Sequence, residues 1–252
     1  MKSHDIEYDI QGADIQMVDI ILDPEETVVA EAGAMLAMDG CIEMKTSILD
    51  GSSKMSGLFN MGKRFVTGES LFFTRFTNKG TGKATVTFAT PYMGRIVPVD
   101  LQQIGSAFLC SKGAFLCAAQ GTDISIGFQK NIKSGLFGST GFILQKIKGD
   151  GLAFLHSGGN LYKRVLKPGE EIFVDSEALI GFNEGIKFDL KFVKGVRNML
   201  FSGEGMFLYK ITGPGIVLAQ SFNFKKWTES SNAHMAEALN QAVKQKTSEK
   251  EQ

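Results

Sequence analysis

The sequence predicts an all-β protein, and three observations carry that reading. Glycine is abundant, 29 residues against about 18 at ordinary usage, while proline is scarce at 5, so the turns are built mainly on glycine. Short apolar runs alternate with period two: Ala84, Val86 and Phe88 stand against Thr85, Thr87 and Ala89, and Ile186, Phe188, Leu190 and Phe192 against Lys187, Asp189, Lys191 and Val193. Two phrases then recur three times in fixed order. The first is Val28-Val29-Ala30-Glu31-Ala32-Gly33-Ala34-Met35-Leu36, which returns at Phe108 to Leu116 and at Ile172 to Ile180. The second is Gly68-Glu69-Ser70 before an apolar run, which returns as Gly149-Asp150-Gly151 and Gly203-Glu204-Gly205. Repetition at this scale predicts three sequential repeats of a small double-stranded β-helix or β-sandwich unit in one compact body.

The expected organisation is a single domain over 1–227, with repeats at about 1–93, 94–160 and 161–227, and a helical or disordered tail over 228–252. Gly68, Gly149 and Gly203 are expected in superimposable structural turns, and Ala34, Ala114 and Ala178 within strands. Lysine plus arginine and aspartate plus glutamate both number 27, so no net field steers the chain to nucleic acid or an anionic membrane. The three cysteines, Cys41, Cys110 and Cys117, sit in apolar surroundings and read as buried free thiols of a reducing compartment. The N-terminus has neither the apolar run of a signal peptide nor the arginine-rich character of a transit peptide, and no 18-residue apolar window occurs, so a cytoplasmic location is expected.

In order along the chain, Ile15 to Ile21 reads as a strand covered on both faces, and Asp23-Pro24-Glu25-Glu26 as a turn matched by Lys167-Pro168-Gly169-Glu170. Strand signals cover Thr27 to Met38 and Cys41 to Thr46, split by Asp39-Gly40, a tight-hairpin dipeptide. Pro98 cannot donate to a ladder, so Arg95 to Val99 is expected to be an edge strand or to turn Pro98 away from a partner. Ser56-Gly57-Leu58-Phe59 recurs as Ser134-Gly135-Leu136-Phe137, each opening a glycine-rich apolar stretch that ends in basic residues, with no third copy. Leu58, Phe59, Met61 and Phe65 in the first, with Leu136, Phe137 and Phe142 in the second, are candidate interface residues. They fit either core strands with glycine bulges or an exposed surface for another subunit, a protein partner or a membrane. After Trp227 the chain is rich in Ala, Glu, Gln and Lys, with Met235, Leu239 and Val243 at helical spacing.

The segments Glu31-Ala32-Gly33-Ala34-Met35, Ser56-Gly57-Leu58-Phe59, Gly68-Glu69-Ser70-Leu71-Phe72-Phe73 and Ile96-Val97-Pro98-Val99-Asp100-Leu101 together resemble the AIM24-like proteins, a former domain of unknown function with bacterial members and a mitochondrial branch. The resemblance covers nearly the whole chain except the tail. It implies a fold like that of the tryptophan RNA-binding attenuation protein, three copies per chain, and a trimer whose repeats form a larger ring. It brings no catalytic motif and no established activity, and likeness of fold does not transfer tryptophan or RNA binding.

Reactive constellations fare poorly on their own terms. His4, His156 and His234 have no metal-ligand spacing, Gly68-Glu69-Ser70 is not a nucleophile elbow, and Arg64 stands where a phosphate loop ending in Gly62-Lys63 needs serine or threonine. No catalytic residue, cofactor or metal is assigned. The expected function is that of a non-enzymatic oligomeric scaffold or binding protein, a homotrimer whose subunits cover exposed strand edges. Two alternatives are a small-ligand-binding module with pockets between repeats and a cupin-like enzyme.

Overall fold

Val18, Ile20 and Leu22 are fully buried while Met17, Asp19 and Ile21 are half-buried, the alternation of a strand with one face on a core. The same logic builds most of the described residues into strands in the computed structural model. It describes residues 2–31, 33–49, 71–134, 138–193 and 206–224, with 226–228, 230–232 and 234–235. After β1 (Glu7–Gln11) come β2 (Met17–Leu22), β3 (Thr27–Glu31), β4 (Met35–Met38), β5 (Ile42–Leu49), β6 (Leu71–Asn78) and β7 (Ala84–Ala89). Next are β8 (Gly94–Asp100), β9 (Ala107–Ser111), β10 (Phe115–Ala119), β11 (Asp123–Ser134), β12 (Gly138–Lys148) and β13 (Leu152–Gly158). The last six are β14 (Leu161–Leu166), β15 (Glu171–Asp175), β16 (Leu179–Asn183), β17 (Lys187–Val193), β18 (Met206–Thr212) and β19 (Gly215–Gln220). Helical residues follow between 224 and 235, and among the described residues no helix is long and apolar enough to cross a membrane.

The ladders obey one scheme in three successive stretches, β2–β7, β8–β13 and β14–β19. Within each, the sixth strand pairs with the first and third, and the fifth pairs with the second and fourth, all antiparallel. Neighbouring stretches join by the third strand of the later against the second of the earlier, β10 on β3 and β16 on β9. The resulting sheets run β1-β2-β7-β4, β5-β6-β3-β10-β13-β8, β11-β12-β9-β16-β19-β14 and β15-β18-β17.

Three apolar clusters fill the space between sheets. Val18, Val86, Phe76 and Phe88 anchor the first, Phe108, Phe115 and Leu155 the middle one, and Phe182, Tyr209 and Ile211 the last. Aromatic pairs lock them edge to face, Phe76 on Phe88 at 5.4 Å and Phe73 on Phe115 at 5.6 Å, and each buried Phe stabilises by roughly 1.5–3 kcal/mol through area alone.

Several expectations need correction. Thr27 to Met38 is two strands, because the chain turns at Glu31 to Ala34, and Ala34, Ala114 and Ala178 lie in turns rather than within strands. Asp39-Gly40 is not a hairpin: β4 pairs with β7 and β5 with β6, so the chain changes sheet there. Gly149 lies in the connection before β13. Most of the second glycine-rich stretch is strand, since β12 begins at Gly138. Cys41 is exposed, because Gly40-Cys41 forms the corner into β5, while Cys110 and Cys117 are buried as expected. Pro98 does sit on an edge, since β8 ends its sheet.

Candidate functional site

The three recurring turns converge on one pocket. Each is closed by the alanine N–H donating to the carbonyl three residues earlier: Ala34 to Glu31 at 3.2 Å, Ala114 to Ser111 at 3.0 Å and Ala178 to Asp175 at 3.0 Å. Each alanine carbonyl then accepts an N–H from the sixth strand of its own stretch, from Ala89 at 3.0 Å, His156 at 2.6 Å and Gln220 at 2.9 Å. Gly33 and Gly113 take φ of +92° and +86°, which only glycine adopts without strain, and this lets the first two turns close so tightly.

Together the turns line a cavity of about 570 Å³, a volume ordinary for a small-molecule site. The three equivalent sixth-strand positions carry different side chains, and this breaks the likeness between the stretches. Ala89 leaves space. Gln220 is fully engaged, its Oε1 accepting from Gly158 N–H at 2.9 Å and its Nε2 donating to the Glu177 carbonyl at 3.2 Å. His156 is 1 % exposed, with both ring nitrogens buried and the Tyr92 backbone near the ring but short of a well-formed hydrogen bond. Its imidazole packs edge-on against Tyr92 at 4.3 Å. Burial pushes its pKa down to about 4, with the Tyr92 backbone acting the other way, so the ring is neutral at physiological pH.

Charges stand at the turns themselves. Burial raises the Glu31 carboxyl above the usual carboxylate range, and the nearby Lys112 ammonium opposes that shift. Glu177 Oε2 takes Asn223 Nδ2 at 3.4 Å and Lys226 Nζ at 3.9 Å. Asn223 also caps the following helix, its Oδ1 accepting Lys226 N–H at 3.0 Å, and Lys226 Nζ pairs with Asp175. This pins one wall of the pocket, where Phe224 stacks on Tyr92 at 5.1 Å and Trp227 packs against Phe224 at 5.8 Å.

The pocket offers binding groups without an assembled nucleophile. The Ser111 hydroxyl donates to the Leu179 carbonyl, and burial raises the Cys110 thiol well above its ordinary range, with the Glu31 charge adding to the effect. Among the described residues no three His, Cys, Asp or Glu side chains gather as a metal site.

Of the candidate interface residues, Leu58, Phe59, Met61, Phe65, Leu136 and Phe137 lie outside the described residues, as do Gly68 and Gly203. Phe142 is half-buried on β12, with its ring 4.9 Å from Phe207 and perpendicular to Tyr209, packed on the third core cluster. The sequence reading allowed for pockets between repeats without naming their residues, although a signal was present: the polar triplet inside each recurring phrase marks a turn.

Known proteins share this architecture. A crystal structure of a Streptococcus pyogenes protein superposes with a TM-score of 0.70 at 20% identity, covering 91% of this chain and 99% of the other. An uncharacterized protein of Streptococcus pyogenes serotype M6 is 25% identical over 229 residues, 89% of this chain and 88% of the relative. Residues 8–222 match the family model described as "Mitochondrial biogenesis AIM24", and the chain belongs to that family.

Proposed function

We propose that the protein is a non-enzymatic oligomeric binding scaffold, built of three copies of one six-strand unit, whose chains join head to tail through β4 and β15. The observation that supports this is a junction left open at both ends. Inside the chain, every second strand that has a following unit pairs with that unit's third strand. The third strand of the first unit, β4, and the second strand of the last, β15, are sheet edges. Leu36 on β4 is 58 % exposed, while its counterparts Leu116 and Ile180 are 2 % and 1 % exposed, and Phe173 on β15 is 60 % exposed. Exposed apolar edges of this kind invite strand pairing.

The two internal junctions share a register, Cys117 facing Ala30 and Gly181 facing Cys110. Carried to the open ends, that register sets Ala37 of one copy opposite Val174 of the next, and Met38 opposite Phe173. Ala37, Cys117 and Gly181 are all small, as close approach of the strands requires. A head-to-tail contact closes into a ring when its rotation allows, and the family resemblance favours a trimer. The test uses a Cys41→Ser background carrying Met38→Cys and Phe173→Cys. Mild oxidation should produce disulfide-linked multimers, whereas Met38→Cys paired with Glu171→Cys, which is out of register, should give far fewer. Equal yields from both pairs would reject the register.

A small-ligand-binding role is the second reading, favoured by the pocket where the three turns meet.

A further inference from the structure

Each of the three stretches has the same sheet edge, that of its first strand, and each treats it differently. Met17, Ile96 and Leu161 pair with Ala89, His156 and Gln220, so β2, β8 and β14 align residue for residue. The alignment runs on to Leu22, Leu101 and Leu166, all buried. On β2 the edge is covered by β1. On β8 it is closed by Gln16, whose N–H donates to the Gly94 carbonyl at 3.0 Å and whose Oε1 accepts from Ile96 N–H at 2.9 Å, and by Pro98, which has no N–H to offer. On β14, among the described residues, β19 is the one paired strand, and the outer edge is open. Tyr162 there is 48 % exposed, where its equivalents Val18 and Val97 are 0 % and 9 % exposed.

The strand already seated on β2 shows what fits. β1 runs antiparallel with Tyr8 opposite Ile20 and Asp9 opposite Asp19, a repelling carboxylate pair that Gln11 Nε2 bridges at 3.5 and 2.7 Å. Carried to β14, that register sets an aromatic ring against Arg164 and an acid against Lys163, a favourable pair in place of a repelling one. Lys163 and Arg164 are both exposed, and two such cations disfavour a second β14 on this edge. We propose that the open edge of β14 takes an extended segment of a partner protein in antiparallel pairing, with an acidic residue opposite Lys163 and an apolar or aromatic residue on either side of it. Inside the chain β2 carries β1 while its own stretch is joined to the next, so such a strand is compatible with the joint through β4 and β15 and does not depend on it.

The probe is a capped, fluorescein-labelled peptide with the sequence of Asp5 to Gly12, titrated with the full chain and followed by anisotropy. It should bind saturably. A peptide carrying Asp9→Lys should bind about fivefold or more weakly, and Lys163→Glu in the full chain should reverse that order. Lys163→Pro copies the proline that β8 holds at the equivalent place and removes the outward N–H, so it should abolish binding while the circular-dichroism signal of the strands stays unchanged. No saturable binding to wild type, equal binding of the two peptides, an order that Lys163→Glu does not reverse, or full binding by a folded Lys163→Pro chain would each overturn the proposal. The last is also the result expected if the peptide merely displaces β1 from β2. Because the readout is peptide binding and not mass, this proposal and the head-to-tail joint fail separately.

Discussion

The backbone N–H of His156 donates to the Ala114 carbonyl at 2.6 Å, fixing the strand that carries the histidine to the turn that opens the pocket. Ala34 with Ala89 and Ala178 with Gln220 repeat the contact in the flanking stretches, so one backbone device presents three different side chains at one place. Only the middle one presents a buried titratable group.

That group gives the fold an acid sensitivity of definite sign. The folded pKa of His156, about 4, lies below the ordinary value near 6.5, so between those values the unfolded chain binds the extra proton. Stability is therefore intact above about pH 6.5 and falls as pH drops toward 4, by about 3 kcal/mol. Glu31, whose carboxyl is raised, contributes the opposite slope just above its ordinary range. Denaturant titrations of wild type and His156→Phe across this window isolate the histidine. The variant should lose the slope and be at least as stable as wild type at neutral pH, since it removes two buried nitrogens that lack a well-formed hydrogen bond.

Asn223 ties the C-terminal helix to the third turn through its bonds to Glu177 and to Lys226 N–H. Asn223→Ala should cost the local structure about 1 kcal/mol. Trp227 is the only tryptophan and packs on Phe222 and Phe224. Its emission should shift to the red in the variant, while the circular-dichroism signal of the strands stays unchanged.

Gly181 lies at the junction of β16 and β9, where an added Cβ would sit 2.2 Å from the Leu109 carbonyl oxygen and 2.6 Å from the Phe108 ring. Gly181→Ala should therefore lower stability by roughly 1–3 kcal/mol, the range for overpacking a tight interior, as read from the urea midpoint. Gly40→Ala, where nothing lies within 4 Å, should stay within about 0.5 kcal/mol of wild type.

How much of this was legible in the sequence follows from how local each feature is. Period-two alternation revealed strands such as β7 and β17, and Pro98 pointed to an edge as one of two possibilities, because both depend on residues close in the chain. The Asp23 and Lys167 turns were also legible: each is closed by a glutamate three residues on, Glu26 and Glu170, which accepts the turn's first N–H at 2.9 Å. Asp39-Gly40 misled, since the dipeptide specifies a tight turn but not whether the flanking strands pair. The residues of the pocket were not legible because it arises from the meeting of three turns far apart in the chain, and His156 looks like any mid-strand residue until its neighbours are known. The open edges were hidden for the same reason. Leu36 and Leu116 have the same place in the recurring phrase, and only the presence of a neighbouring strand separates an exposed leucine from a buried one.

The most direct test of the central claim is the mass of the full chain in dilute solution by light scattering, compared with a variant carrying Leu36→Asp and Phe173→Asp. Head-to-tail joining through β4 and β15 predicts a multiple of 27.4 kDa for wild type, a trimer if the ring closes at three, and a folded monomer for the variant. A wild-type mass of 27.4 kDa at micromolar concentration, or a variant that keeps the full assembly, would contradict it.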